Sequence, residues 1–139
     1  MTPYQLAEKH IGLKEVPGQQ DNPEILAMLK LDNNWPEHDE VPWCSAFVNW
    51  VCHKAGVERS RKLNARSWLD VGRSISIHEA RPVSDIVILS RTSNPASGHV
   101  GFYSKHDDKF VYLLGGNQGD AVSIAKFPLA RVLGVRRMA

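Results

Sequence analysis

After Pro82 the chain changes character. Asp85 to Leu89, His99 to Ser104, Phe110 to Leu114, Ala121 to Phe127 and Leu133 to Arg137 are runs rich in β-branched and aromatic residues, separated by clusters of Ser, Asn, Pro, Gly and Asp. The gaps are too short for helical crossovers, so the strands are expected to run antiparallel. Before Pro82 the apolar spacing is helical instead. Helices first and strands afterwards, without βαβ alternation, predict an α+β domain with the N-terminal helices packed on a C-terminal antiparallel β-sheet.

The helical half has recognisable starts and stops. Thr2-Pro3 serves as cap and first residue for Tyr4, Leu6, Ala7 and Ile11, and Gly12 ends the pattern. Asn22-Pro23 opens a second helix with Ile25, Leu26, Leu29 and Leu31 on one face. Asp32 to Pro42 reads as a loop carrying Asp32, Glu37, Asp39 and Glu40. The strongest pattern follows. Cys44, Phe47, Val48, Val51 and Ala55 form one apolar stripe on a helix between Pro42 and Gly56, with Cys44 in its first turn. A shorter helix is predicted from Asn64 to Val71.

Composition narrows the function classes. The 139 residues suit a single domain over 1–139, and the longest aliphatic run, Ile86 to Leu89, is far too short to span a bilayer. The N-terminus shows neither a basic start leading into an apolar run nor a small-residue cleavage site, so no signal peptide is expected. A net charge of +2 without a dense basic stripe argues against nucleic acid as a partner. Gly115 to Gly119 matches neither phosphate-loop nor dinucleotide spacing and precedes a strand, which argues against nucleotide binding. The acidic loop lacks calcium-loop spacing, and two cysteines without a CxxC make no zinc site. The expectation is an enzyme without cofactor or metal.

The two cysteines differ in kind. A thiol acts as thiolate, and a helix N-terminus with a neighbouring histidine lowers its pKa. Cys44 stands at such a start. Cys52 lies two turns on, roughly 12 Å away at the helical rise, beyond disulfide reach and without the dipole's help, and is read as core. Among six histidines, His99 stands apart: Gly98 and Gly101 flank it, and it begins a strand. A turn centred on Asp107-Asp108 would pair His99 with Gly116, or with Asn117 given one more loop residue. An asparagine amide there could accept from the imidazole and fix its tautomer, although Asn and Gly are also ordinary turn-formers.

Three segments stand in order: Pro42-Trp43-Cys44-Ser45-Ala46-Phe47-Val48-Asn49-Trp50, Gly98-His99-Val100-Gly101-Phe102-Tyr103 and Gly115-Gly116-Asn117-Gln118-Gly119. Together they resemble the papain-like peptidoglycan hydrolases of the CHAP and NlpC type, especially small single-domain phage endolysins. The resemblance implies a papain-like fold, Cys44 as nucleophile, His99 as general base and acid, and Asn117 as the residue that orients it, with Gln118 or Asp120 in that place if the register shifts. The backbone N–H of Cys44 is the implied oxyanion donor; no Gln or Tyr stands just upstream to supply a second. Trp43, Asp39 and Gln118 neighbour these residues and are the candidates for substrate contact.

The implied partner is bacterial peptidoglycan, cleaved at a stem-peptide or muramoyl–peptide amide by a monomer without membrane anchor. Made without a signal, such a chain reaches the wall through a holin-type pore, or through an injection system as an antibacterial effector whose immunity protein would be a partner. Two other readings are a papain-like protease or acyltransferase acting on proteins, and a catalytically dead wall- or partner-binding module.

Overall fold

A computed structural model describes residues 1–14, 22–31, 43–91 and 98–138. Three helices, α1 (Pro3–Glu8), α2 (Pro23–Leu29) and α3 (Cys44–Ala55), precede six strands. Their caps follow the sequence. Thr2 and Gln5 form a reciprocal capping box on α1, and the Asn22 side chain accepts from Glu24 N at 2.9 Å on α2. At the end of α3, Gly56 takes the left-handed conformation (φ 73°) that closes the last turn. The segment expected as a helix from Asn64 is a 3-10 helix, Ala65–Asp70.

The strands are β1 (Arg73–Ile75), β2 (Asp85–Ser90), β3 (Gly98–His106), β4 (Phe110–Gly115), β5 (Ser123–Pro128) and β6 (Val132–Arg137), in the order β1-β6-β2-β3-β4-β5. All pairings are antiparallel. The five anticipated strands are present. The short edge strand β1 has no apolar alternation and is visible only through its pairing with β6. Ala121, expected to begin a strand, instead bridges Lys14, tying the start of β5 to the segment after α1.

Alternation divides the sheet into two faces. Ile86, Ile88, Val100, Phe102 and Leu114 join Phe47, Val48, Val51 and Trp68 in the main core, so α3 is wrapped by the sheet, α1, α2 and the 3-10 helix. Val87, Leu89, Tyr103, Val111, Leu113 and Val135 form a second cluster on the other face, covered by Ile77, Phe127 and Leu129. The α+β architecture with helices on an antiparallel sheet is as the sequence implied.

Candidate active site

Cys44 begins α3, and among the described residues no side chain caps that helix start. Its first N–H groups therefore lack helical partners and face the thiol. The thiol is 3% exposed. Burial pushes its pKa up, opposed by hydrogen bonds from the backbone N–H groups of Val100 and Ser45 and by the charge of Arg91. The contact with Val100 sets the sulfur against the strand segment that carries His99. Cys52, fully buried in the same helix, is pushed up to about 12 by burial and has no such surroundings.

His99 is 3% exposed, near the start of β3 opposite Leu89 of β2. Its Nε2 lies 2.8 Å from Gln118 Oε1. The orientation of that amide is determined by its other end, since Gln118 Nε2 donates to the carbonyls of Leu113 (3.1 Å) and Ser123 (2.7 Å). Oε1 can only accept, so His99 carries its proton on Nε2 and presents a bare Nδ1. The ring also lies 5.0 Å from Phe127, centroid to centroid. Burial pushes its pKa from 6.5 down to about 4; the Gln118 bond opposes this, while Arg91 and Arg131 add to it.

The bond to the imidazole expected of Asn117 is thus made by Gln118, the alternative the sequence also offered. Asn117 occupies the left-handed region (φ 59°) as a turn residue of the Gly115–Gly119 segment, and its successor reaches the imidazole. Strand register alone does not account for the change. Asp107 Oδ1 accepts from Lys109 N and Phe110 N, closing a turn longer than one centred on Asp107-Asp108. A bulge between Tyr103 and Lys105 brings the register back to Phe102↔Leu114, which would set Asn117 opposite His99, but the ladder stops before that pair and the next residue, Gln118, reaches the ring. Gln118 had been a candidate for substrate contact; at 7% exposed and bonded at both ends of its amide, it supports the histidine instead.

Trp43 is likewise corrected. It is fully buried, and Gly116 packs on its ring so closely that an added Cβ would lie 2.5 Å from it, so it is a core residue and not a substrate contact. Asp39 lies outside the described residues, as does the acidic loop. Asp120, the other alternative for orienting His99, sits at φ 60° in the same turn and is exposed.

A cavity of about 430 Å³ opens beside the imidazole, lined by Arg91, Asn117, Gln118, Phe127 and Arg131 as well as His99. The two arginines were not singled out from the sequence. They are brought together by the pairing of β2 with β6, which no local pattern specifies. Among the described residues no group of three His, Cys, Asp or Glu side chains could hold a metal ion, and no helix is long and apolar enough to cross a membrane.

Known proteins carry related features. No curated protein sequence matches the chain. Among solved structures, NlpC1 and NlpC2 from Trichomonas vaginalis superpose with TM-scores of 0.62 and 0.59 at 19% and 16% identity, covering 99% of this chain but 43% and 46% of theirs. A lipoprotein-like member of the NLP/P60 family from Staphylococcus aureus gives 0.57 at 22% identity over 98% of this chain and 40% of its own. The chain thus spans less than half the length of these proteins, which share its fold. The CHAP domain model matches residues 36–117, a stretch containing Cys44, His99 and Asn117 and ending one residue before Gln118. With more than half its length matched, the chain belongs to the CHAP-domain family.

Proposed function

We propose that the chain is a cysteine-dependent hydrolase of peptidoglycan that cleaves an amide bond of the stem peptide or the muramoyl–peptide link. The observation that carries this reading is the convergence of two contacts on one strand start: the Cys44 thiol, at a helix start, against the backbone N–H of Val100, and the neighbouring His99 held in one tautomer by Gln118. Family membership supplies the substrate class.

Burial favours a neutral thiol and a neutral imidazole at rest. As Cys44 Sγ adds to the substrate carbonyl, its proton passes to Nδ1 of His99, the nitrogen left bare by the Gln118 bond. The sulfur's growing charge is met by the N–H groups of Val100 and Ser45 and by Arg91. The carbonyl oxygen, becoming an oxyanion, takes the N–H of Cys44 as donor. The imidazolium then protonates the leaving amine, the C–N bond breaks, and a thioester remains. Water, deprotonated by the same imidazole, adds to the thioester and releases the acid and the thiol.

Purified peptidoglycan treated with wild-type protein should yield new amine and carboxyl termini, identifiable by mass spectrometry. Cys44→Ala should keep the wild-type melting temperature and yield none. Full activity in that variant would overturn the reading, and cleavage of a protein substrate without cleavage of muropeptides would replace it with a protease.

A further inference from the structure

The cavity beside His99 is lined by two arginines and, among the described residues, by no carboxylate. Arg131 donates Nε–H to the Ser90 carbonyl at 2.7 Å, and its guanidinium carbon lies 5.5 Å from the centre of the Phe127 ring. Among the described residues its two terminal nitrogens have no hydrogen-bond partner. Arg91, immediately after β2, is exposed. Both act electrostatically on His99, and among the described residues no carboxylate pairs with either. Phe127 and Ala125 form the apolar part of the wall.

Two guanidinium groups beside a base that must itself become a cation oppose the proposed chemistry unless something neutralises them. A carboxylate would do so, and the planar forks of two arginines match its geometry. Its position along the substrate follows from the proton's path. The acyl fragment stays on Cys44, which does not line the cavity, whereas the leaving nitrogen takes its proton from His99, which does. The fragment attached to that nitrogen therefore lies on the cavity side.

We propose that this cavity is the subsite for the leaving side of the substrate and that Arg91 and Arg131 hold there a free carboxylate of the residue whose amine is released. This rests on the reading of the chain as a wall-amide hydrolase, and it makes the enzyme selective for one form of the wall: amidation of that carboxylate, which removes its charge, diminishes recognition. Arg91 and Arg131 act as specificity determinants. Docking of the carboxylate also removes the two positive charges' opposition to the imidazolium as that ion forms, so the selectivity appears in kcat as well as in KM.

The test uses the purified disaccharide tetrapeptide and the same compound with its carboxylates amidated. Wild-type protein should prefer the free form in kcat/KM by roughly 10- to 100-fold, the range of one or two charge-assisted hydrogen bonds. In Arg91→Gln and Arg131→Gln that preference should shrink toward unity, with Arg131→Lys intermediate. Arg91→Gln, at an exposed residue, keeps the test decisive if Arg131 variants fold poorly. Equal turnover of the two compounds by wild type, or an unaltered preference in both Gln variants, overturns the proposal. Calorimetric binding to Cys44→Ala separates the two layers. If wild type cleaves neither compound but the Cys44→Ala protein still binds the free form more tightly through the arginines, the hydrolase reading fails and the carboxylate site stands. If both compounds are cleaved equally and bound equally, the carboxylate site fails and the hydrolase stands.

Discussion

A glutamine side chain reaches one methylene further than asparagine, and at position 118 both ends of its amide are occupied: Oε1 accepts from His99, and Nε2 donates to the backbone of Leu113 and Ser123. Gln118→Ala frees the imidazole to rotate and to shift its proton. A fall in kcat on the order of 10²- to 10⁴-fold is expected, as for loss of an orienting residue in other triads, and Asn117→Gly should cost far less. His99 itself sets the pH behaviour. With its pKa held near 4 by burial, the free base persists to lower pH than an exposed histidine allows, so the acid limb of kcat/KM should lie near pH 4, well below 6.5. Stability runs the other way. The unfolded chain, with the ordinary value of 6.5, binds a proton that the folded site refuses, so His99's contribution is complete above 6.5 and is lost as pH falls toward 4, by about 3 kcal/mol. Denaturant titrations at pH 7 and pH 4.5 should show this loss in the wild type and a smaller one in His99→Asn.

At the scale of elements, the α3 start and the Gly115–Gly119 segment are fitted to each other. A Cβ at Gly116 would meet the Trp43 ring at 2.5 Å and Phe47 Cβ at 2.8 Å, both buried, so Gly116→Ala should cost about 3 kcal/mol by overpacking, read as a lower denaturation midpoint. Gly115→Ala differs, because its Cβ would meet the movable amide oxygen of Gln118 at 2.7 Å; activity should fall more than stability. Much of this was legible in the chain. The stripe Cys44, Phe47, Val48, Val51 specified α3 and put Cys44 at its start, and glycines around residue 99 marked where backbones pass closely. What escaped was the path of the chain beyond the ladder. The pairing extrapolates to Asn117 opposite His99, but the ladder ends at Phe102↔Leu114, and beyond it the path of the Gly115–Gly119 segment, which no pairing rule specifies, decides which of two neighbouring amides reaches the ring. Trp43 misled for a related reason: its burial depends on Gly116, which is remote in sequence.

Across the whole molecule, the sheet is assembled from distant pieces. Asp85, at the start of β2 and almost fully buried, accepts from Arg137 Nε and a terminal nitrogen, both at 2.8 Å, and from Arg81 N at 2.8 Å. Asp85→Ala would leave the guanidinium without its bidentate partner beside the β2–β6 junction and should lower the unfolding midpoint. That junction matters in time as well as in space. Strands β2 to β5 can pair with their sequence neighbours as they emerge during synthesis, but β6, the latest of the six, must return past them to lie between β1 and β2, and β1 has no strand to lie against until it does. Arg131 stands immediately before β6, so the cationic wall of the cavity comes together only at that last step. A nascent chain therefore carries Cys44 and His99 before that wall can form, and the non-local return of one strand sets when it closes.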